Sequence, residues 1–135
     1  MTFVFDENLS KNLSEGLQKL ENGNTRSAHR VKVLYAPDLC GEGADDEVII
    51  PKVGAIDAIF ITQDRDFTNK KHYFSLYKQH QAAIIVYRLE NKAIYWDKVK
   101  SFVRLWEDIK HTSHTHKRPF VFIIGKTGGI RRFEF

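Results

Sequence analysis

AIFITQDRDF, residues 58–67, is an apolar, strand-like run that closes on two acids, Asp64 and Asp66. The pattern has two counterparts. FVFDEN (residues 3–8) closes an apolar run on Asp6, and GADDEV (43–48) offers Asp45, Asp46 and Glu47 at the start of a predicted helix. Parallel strands carry whatever follows their last apolar residue to one edge of the sheet, so acids far apart in sequence meet there. Carboxylates gathered that closely repel one another, and burying them unpaired is costly. A hard, oxygen-preferring divalent cation such as Mg²⁺ or Mn²⁺ is the usual resolution, which points toward metal-dependent phosphodiester chemistry. Any one of these acids also reads as a turn former or helix cap, and Asp64 and Asp66 taken alone read equally well as solvated loop residues. The recurrence at successive strand ends is what sets them apart.

Working outward, residues 2–6 read as a short buried strand, followed by an amphipathic helix on Leu9, Leu13, Leu17 and Leu20 that ends near Gly23. VKVLYA (31–36) is a second strand ended by Pro37 and Asp38. CGEGA leads into a helix for which Asp45 is a good N-cap, and Pro51 is expected to shorten or kink it. AIFIT (58–62) is the third strand, QDRDFTNKKH a polar loop, HYFSLYKQ a short helix and AAIIVYR (82–88) the fourth strand. Ile94, Val99, Phe102, Val103, Trp106 and Ile109 mark one apolar stripe over a helix at 92–110, read as core packing. HTSHTHKR is then a polar loop, PFVFIIG a fifth strand, KTGG a turn and IRRFEF the antiparallel return of a hairpin. Strands alternating with helices predict a mostly parallel sheet covered on both faces.

At 135 residues the chain suits one domain, residues 1–135, with room for a real core. Its apolar runs fall short of the ~20 residues that cross a bilayer, no secretory leader pattern opens it, and its single cysteine, Cys40, suits a reducing cytoplasm. Residues 1–90 hold 11 Lys and Arg against 13 Asp and Glu, a net −2, whereas residues 91–135 hold 10 against 4, a net +6. An acidic first part beside a basic C-terminal part suits a polyanion that approaches carboxylates through metal. A solvated basic helix face is the plainer reading, and charge does not separate the two.

FVFDENLSKNL, GADDEV and IFITQDRDF, in that order, resemble the PIN-like ribonucleases of bacterial toxin–antitoxin systems. The branch they resemble is the small VapC-like one, with a DEN motif at the N-terminus and T-x-D-x-D-F after the third strand. The resemblance covers about residues 2–88. It implies an α/β, three-layer PIN-like fold with a mostly parallel sheet of about five strands, here with a C-terminal hairpin-like extension. It also implies a metal-dependent endoribonuclease with a Mg²⁺ or Mn²⁺ site, RNA as substrate, a cognate antitoxin protein that blocks the site, and possible pairing as a homodimer. Asp6, Asp46, Asp64 and Asp66 match the family's metal-holding and catalytic acids. Asp45 falls where the family more often has Ser or Thr and is assigned to capping, with Glu47 a secondary ligand. Pro51 and the C-terminal hairpin depart from the family pattern.

Asn8 and Thr62 are neutral groups beside the acids, suited to orienting a ligand or water, and Asn8 also reads as a cap of the first helix. Lys70 and Lys71, which flank the acids, are candidates for RNA phosphates. So are Lys126, Arg131 and Arg132 at the basic end, for which plain solvent exposure is the competing reading. The spacing of His111, His114 and His116 fits no common zinc pattern. GKT (125–127) is no phosphate loop, because Phe120 stands where the first Gly is required. Two other classes stay open: a non-catalytic PIN-like module binding RNA or protein, and a phosphoacceptor receiver domain, which fits the motifs poorly.

Overall fold

A computed structural model describes residues 1–88 and 94–135. The order is β1 (Thr2–Phe5), α1 (Lys11–Asn22), β2 (Lys32–Tyr35), α2 (Ala36–Cys40), α3 (Asp46–Ala55), β3 (Ile59–Thr62), α4 (Asp66–Asn69), α5 (His72–Gln79), β4 (Ala83–Tyr87), α6 (Tyr95–Thr115), β5 (Phe120–Ile124) and β6 (Ile130–Phe133). The strands form one sheet in the order β2-β1-β3-β4-β5-β6, with β1 to β5 parallel and β6 antiparallel. From β1 the chain moves outward to β2 and then returns past β1 to lay down β3. Right-handed crossovers in opposite directions place their helices on opposite faces, and in open sheets of this kind ligands bind beyond the strand ends where the direction reverses.

Each strand feeds both faces in alternation. Phe3, Phe5, Ile59, Ile61, Ile85, Phe120 and Phe122 pack beneath Leu13 and Leu17 of α1 and Phe102, Trp106 and Ile109 of α6. Val4, Phe60, Ile84, Val86, Val121 and Ile123 pack beneath Ile49, Ile50 and Val53 of α3, Phe67 of α4, and Tyr73 and Tyr77 of α5. The predicted three-layer α/β architecture is thus present, and burial on both faces explains why the strands read as unbroken apolar runs. Trp106 lies 4.8 Å from the ring of Phe3, so α6 locks onto the strand that ends in Asp6.

Several predicted elements differ. The second strand ends before Pro37, as predicted, but Pro37 then sits in the first turn of an unpredicted short helix, α2, where a missing N–H costs nothing. QDRDFTNKKH contains the short helix α4. In α1, Leu9, Leu13 and Leu17 are buried but Leu20 is 66 % exposed. α6 runs past Lys110 through His111 and His114 to Thr115, overturning the predicted HTSHTHKR loop. Its buried stripe is Phe102, Leu105, Trp106, Ile109 and Ser113. That stripe continues under the polar residues, and it leaves Val103 on the outer side. Ile94 lies before the helix, and residues 92 and 93 of the predicted span fall outside those described.

α3 continues through Pro51 to Ala55. The proline removes the N–H that would bond to Glu47, but Ile49, Ile50 and Val53 are all buried, and such packing supplies most helix stability. Gly54 lets this helix come close to the α5–β4 link: a Cβ there would stand 2.5 Å from the carbonyl oxygen of His80. The predicted hairpin is present, turned through Gly125–Gly129. Phe133 and Phe135 fold back onto Phe74 at 5.7 and 5.9 Å.

Candidate active site

The carboxylates assemble around one hydroxyl. Thr62, the last residue of β3, is fully buried, and its Oγ1 donates to Asp6 Oδ2 at 2.5 Å. The same oxygen accepts from the Asp64 backbone N–H at 3.0 Å and from Asn8 Nδ2 at 3.3 Å. Asn8 Oδ1 in turn accepts from the Gln63 N–H at 3.2 Å. Asn8 therefore does not cap α1, whose N-cap position is Ser10; though exposed, it stitches the chain after β1 to the chain after β3. Parallel pairing of Phe5 with Ile61 sets the two strand ends level, and the Asp6 N–H donates to the Ile61 carbonyl.

Asp64 Oδ1 accepts from the Asp66 N–H at 2.9 Å, an Asx-type bond that starts α4 and leaves the other oxygen of Asp64 unspent. Asp46 enters from α3, its Oδ2 accepting from the Tyr73 hydroxyl at 3.1 Å. Lys70 lies 3.1 Å from Asp66 and 3.4 Å from the Tyr73 oxygen. Lys70 is thus already engaged within the acidic cluster.

The electrostatics follow from burial without a counter-cation. Burial pushes the Asp6 carboxyl above its ordinary value, the Thr62 and Glu7 hydrogen bonds pull it back, and the charges of Asp64 and Glu7 push it up again. Burial likewise raises Asp46 against the Tyr73 hydrogen bond, with Asp64 and Asp6 adding repulsion and Lys70 partly relieving it. Asp6, Asp46 and Asp64, one from each motif, share a single field. Among the described residues none of the three pairs with a Lys or Arg. Hard anionic oxygens with no Lys or Arg paired to them are the donor chemistry that suits Mg²⁺ or Mn²⁺. The side chains do not yet close around an ion: among the described residues no three acid, His or Cys groups stand close enough to form a cage.

The remaining predicted residues are more scattered. Asp45 occupies the N-cap position of α3, but its side chain makes no capping bond. Glu47 is exposed, 3.9 Å from His72. Lys71 and Lys126 are exposed, the latter in the β5–β6 turn. Arg131 and Arg132 follow one another on β6 and so point to opposite faces. Sequence reasoning missed Tyr73, whose spacing to Tyr77 reads as core, and Glu7, whose side chain reaches the Gly43 N–H at 3.2 Å. It also missed Arg88, which ends an apolar strand with no motif to mark it.

Residues 1–88 match the sequence model of a family described as PIN like domain. No curated protein and no solved structure matches the chain. Among the described residues, no helix is long and apolar enough to cross a membrane.

Proposed function

From the premise that the chain belongs to the PIN-like domain family, we propose that it is a metal-dependent endoribonuclease, the toxin of a bacterial toxin–antitoxin pair acting in the cytoplasm. The observation that carries this reading is the field shared by Asp6, Asp46 and Asp64 at the strand reversal, with burial and repulsion acting on carboxylates that have no basic partner.

In this reading Asp6, Asp46, Asp64 and Asp66 hold Mg²⁺ or Mn²⁺, which when bound lowers the pKa of water and stabilises charge on the leaving oxygen. The protein's own groups prepare the donors. Thr62 and the Glu7 N–H fix both oxygens of Asp6, so the carboxylate cannot rotate away. Tyr73 does the same for one oxygen of Asp46. Lys70 offsets one negative charge while leaving the other three acids unpaired. No side chain serves as nucleophile: the Thr62 hydroxyl is committed to Asp6, and burial raises the Cys40 thiol, which lies outside the cluster. A ribonuclease of this kind endangers its own cell, so a cognate antitoxin belongs to the proposal. The exposed apolar side chains Leu20, Trp96 and Val103 offer surface for it or for a second copy.

The test is cleavage of total cellular RNA by the purified chain with Mn²⁺, with Mg²⁺ and with EDTA, beside Asp64→Asn. Cutting that needs metal and is lost in the variant supports the reading. A non-catalytic RNA- or protein-binding module is the second reading, favoured by the acids not closing into a cage and by Lys70 sitting on Asp66. Intact RNA under every condition, with the antitoxin shown to be absent, would select it.

A further inference from the structure

Beyond the acids, the same edge of the sheet turns basic. Arg88 follows Tyr87, whose ring packs on the α1/α6 face, so its side chain turns to the other face, where α4 lies. There its Nη2 donates to Thr68 Oγ1 of α4 at 2.9 Å. Thr68 is the only acceptor the guanidinium meets among the described residues, and its Nε is buried with no partner. Among the described residues no acid forms an ion pair with it. Its charged neighbours are instead Arg131 and Arg65, which with burial bear on the guanidinium in the unfavourable direction. Arg131 lies opposite Ile123, a residue of the α3–α5 face, and so shares that face with Arg88. Arg132 lies opposite Phe122 on the other face and stands 3.6 Å from Glu134. Three cations thus gather, and among the described residues none of them forms an ion pair. Arg65 and Arg131 are exposed, but Arg88 is half-buried, and a half-buried charge in that state is costly unless an anion completes it.

The spacing fits a polyanion lying across the edge. β4 is next to β3 and β6 is two strands further on, so at about 4.8 Å per strand the strand that leads to Arg88 lies about 5 Å from the strand that leads to Asp64, and β6 lies about 10 Å beyond it. Resting on the ribonuclease reading, we propose that Arg88, with Arg65 and Arg131, forms a phosphodiester-binding subsite that seats the RNA backbone next to the bond held at Asp6, Asp46 and Asp64. The planar guanidinium fork suits phosphate oxygens better than a lysine would, and Thr68, accepting from Nη2, steadies the Arg88 guanidinium. The adjacency of the two sites also orients the strand, which must run from the acids over α4 toward β6.

The test is binding of a short fluorescein-labelled single-stranded RNA to the full chain in EDTA, read by anisotropy over a range of salt concentrations. Arg88→Gln and Arg131→Gln are each expected to weaken binding about tenfold and to flatten the salt slope by about 0.7. Arg132→Gln, on the opposite face, and Lys19→Gln are expected to bind as the wild type does. Arg88→Lys should keep the slope and lose part of the affinity. Because the Arg88 charge is unneutralised, Arg88→Gln should melt at or above the wild-type temperature without RNA, whereas a structural role would lower it. If Arg88→Gln fails to fold, the contrast between Arg131→Gln and Arg132→Gln decides. Equal losses at those two positions, or wild-type binding by Arg88→Gln and Arg131→Gln, would overturn the subsite. If the expected binding losses occur but the wild type never cuts RNA, the subsite stands and the ribonuclease reading falls. If the variants bind normally and still cut RNA with metal, the subsite falls and the ribonuclease reading stands.

Discussion

Glu21 and Asp6 are both carboxylates withdrawn from water, yet the chain treats them in opposite ways. At the end of α1, burial would raise Glu21, but hydrogen bonds from Lys110 and Trp106, each 2.7 Å away, and the Lys110 charge hold it below its ordinary value. Only 7 % of its side chain is exposed and every demand is met from within. At the far edge of the sheet, Asp6 receives hydrogen bonds but no cation, and it is raised. A carboxylate completed internally ties two helices together. One left incomplete carries an unfavourable charge that protonation or an external cation relieves, and this difference marks the site more clearly than the count of acids does.

The largest effect that can test the contrast is functional. Asp64→Asn should lower RNA cleavage about 10³-fold, about 4 kcal/mol of barrier, while Glu21→Gln should leave the rate of the folded enzyme unchanged; comparable losses would erase the distinction. Stability should respond the other way. Glu21→Gln is expected to cost about 3 kcal/mol in urea unfolding, because it leaves a largely buried ammonium with Glu107 as its one charged partner, and Glu21→Leu should cost more, because it also strands the Trp106 Nε1–H. A smaller effect belongs to Thr62→Val, which strands the Asn8 amide and the Asp64 N–H. We expect about 2 kcal/mol of lost stability and a drop in cleavage, read by denaturation and rate assays on the same preparation.

The smallest effect fixes the sign. Asp6 has a folded pKa above its unfolded one, so its ionisation destabilises the fold, and the penalty grows as pH rises from the ordinary value of 3.8 through the raised one. Asp6→Asn should therefore melt higher than wild type in EDTA at neutral pH, with the gap narrowing as pH falls toward 3.8. Mn²⁺ should reduce the gap by stabilising the wild type. For Glu21 the linkage is inverted: its contribution is present above the ordinary 4.5 and is lost as pH falls through the depressed folded value. A gap at Asp6 that widened on acidification would refute the assignment of unrelieved charge there.

Much of this arrangement was legible in the sequence because it rests on local patterns. Asp6 and Thr62 end apolar runs, and the parallel sheet follows from uninterrupted apolar strands alternating with helices. What resisted reading depends on contacts between distant segments. A polar run such as HTSHT stays helical when Ile109 and Ser113 continue a buried stripe beneath it. Pro51 is tolerated because the residues on either side of it are buried. Arg88 looks like an ordinary strand terminator until the fold brings the charges of Arg131 and Arg65 into its neighbourhood, and the difference between Arg131 and Arg132 exists only once β6 has a register.

The hydrogen bond between Asp6 and Thr62 spans 56 positions of the chain. A ribosome delivers β1, α1, β2 and α3 before β3 exists to dock beside β1, so a chain in mid-synthesis carries its acids without a centre. Whatever chemistry these carboxylates perform is withheld until translation has passed the third strand, a delay written into the order of the strands.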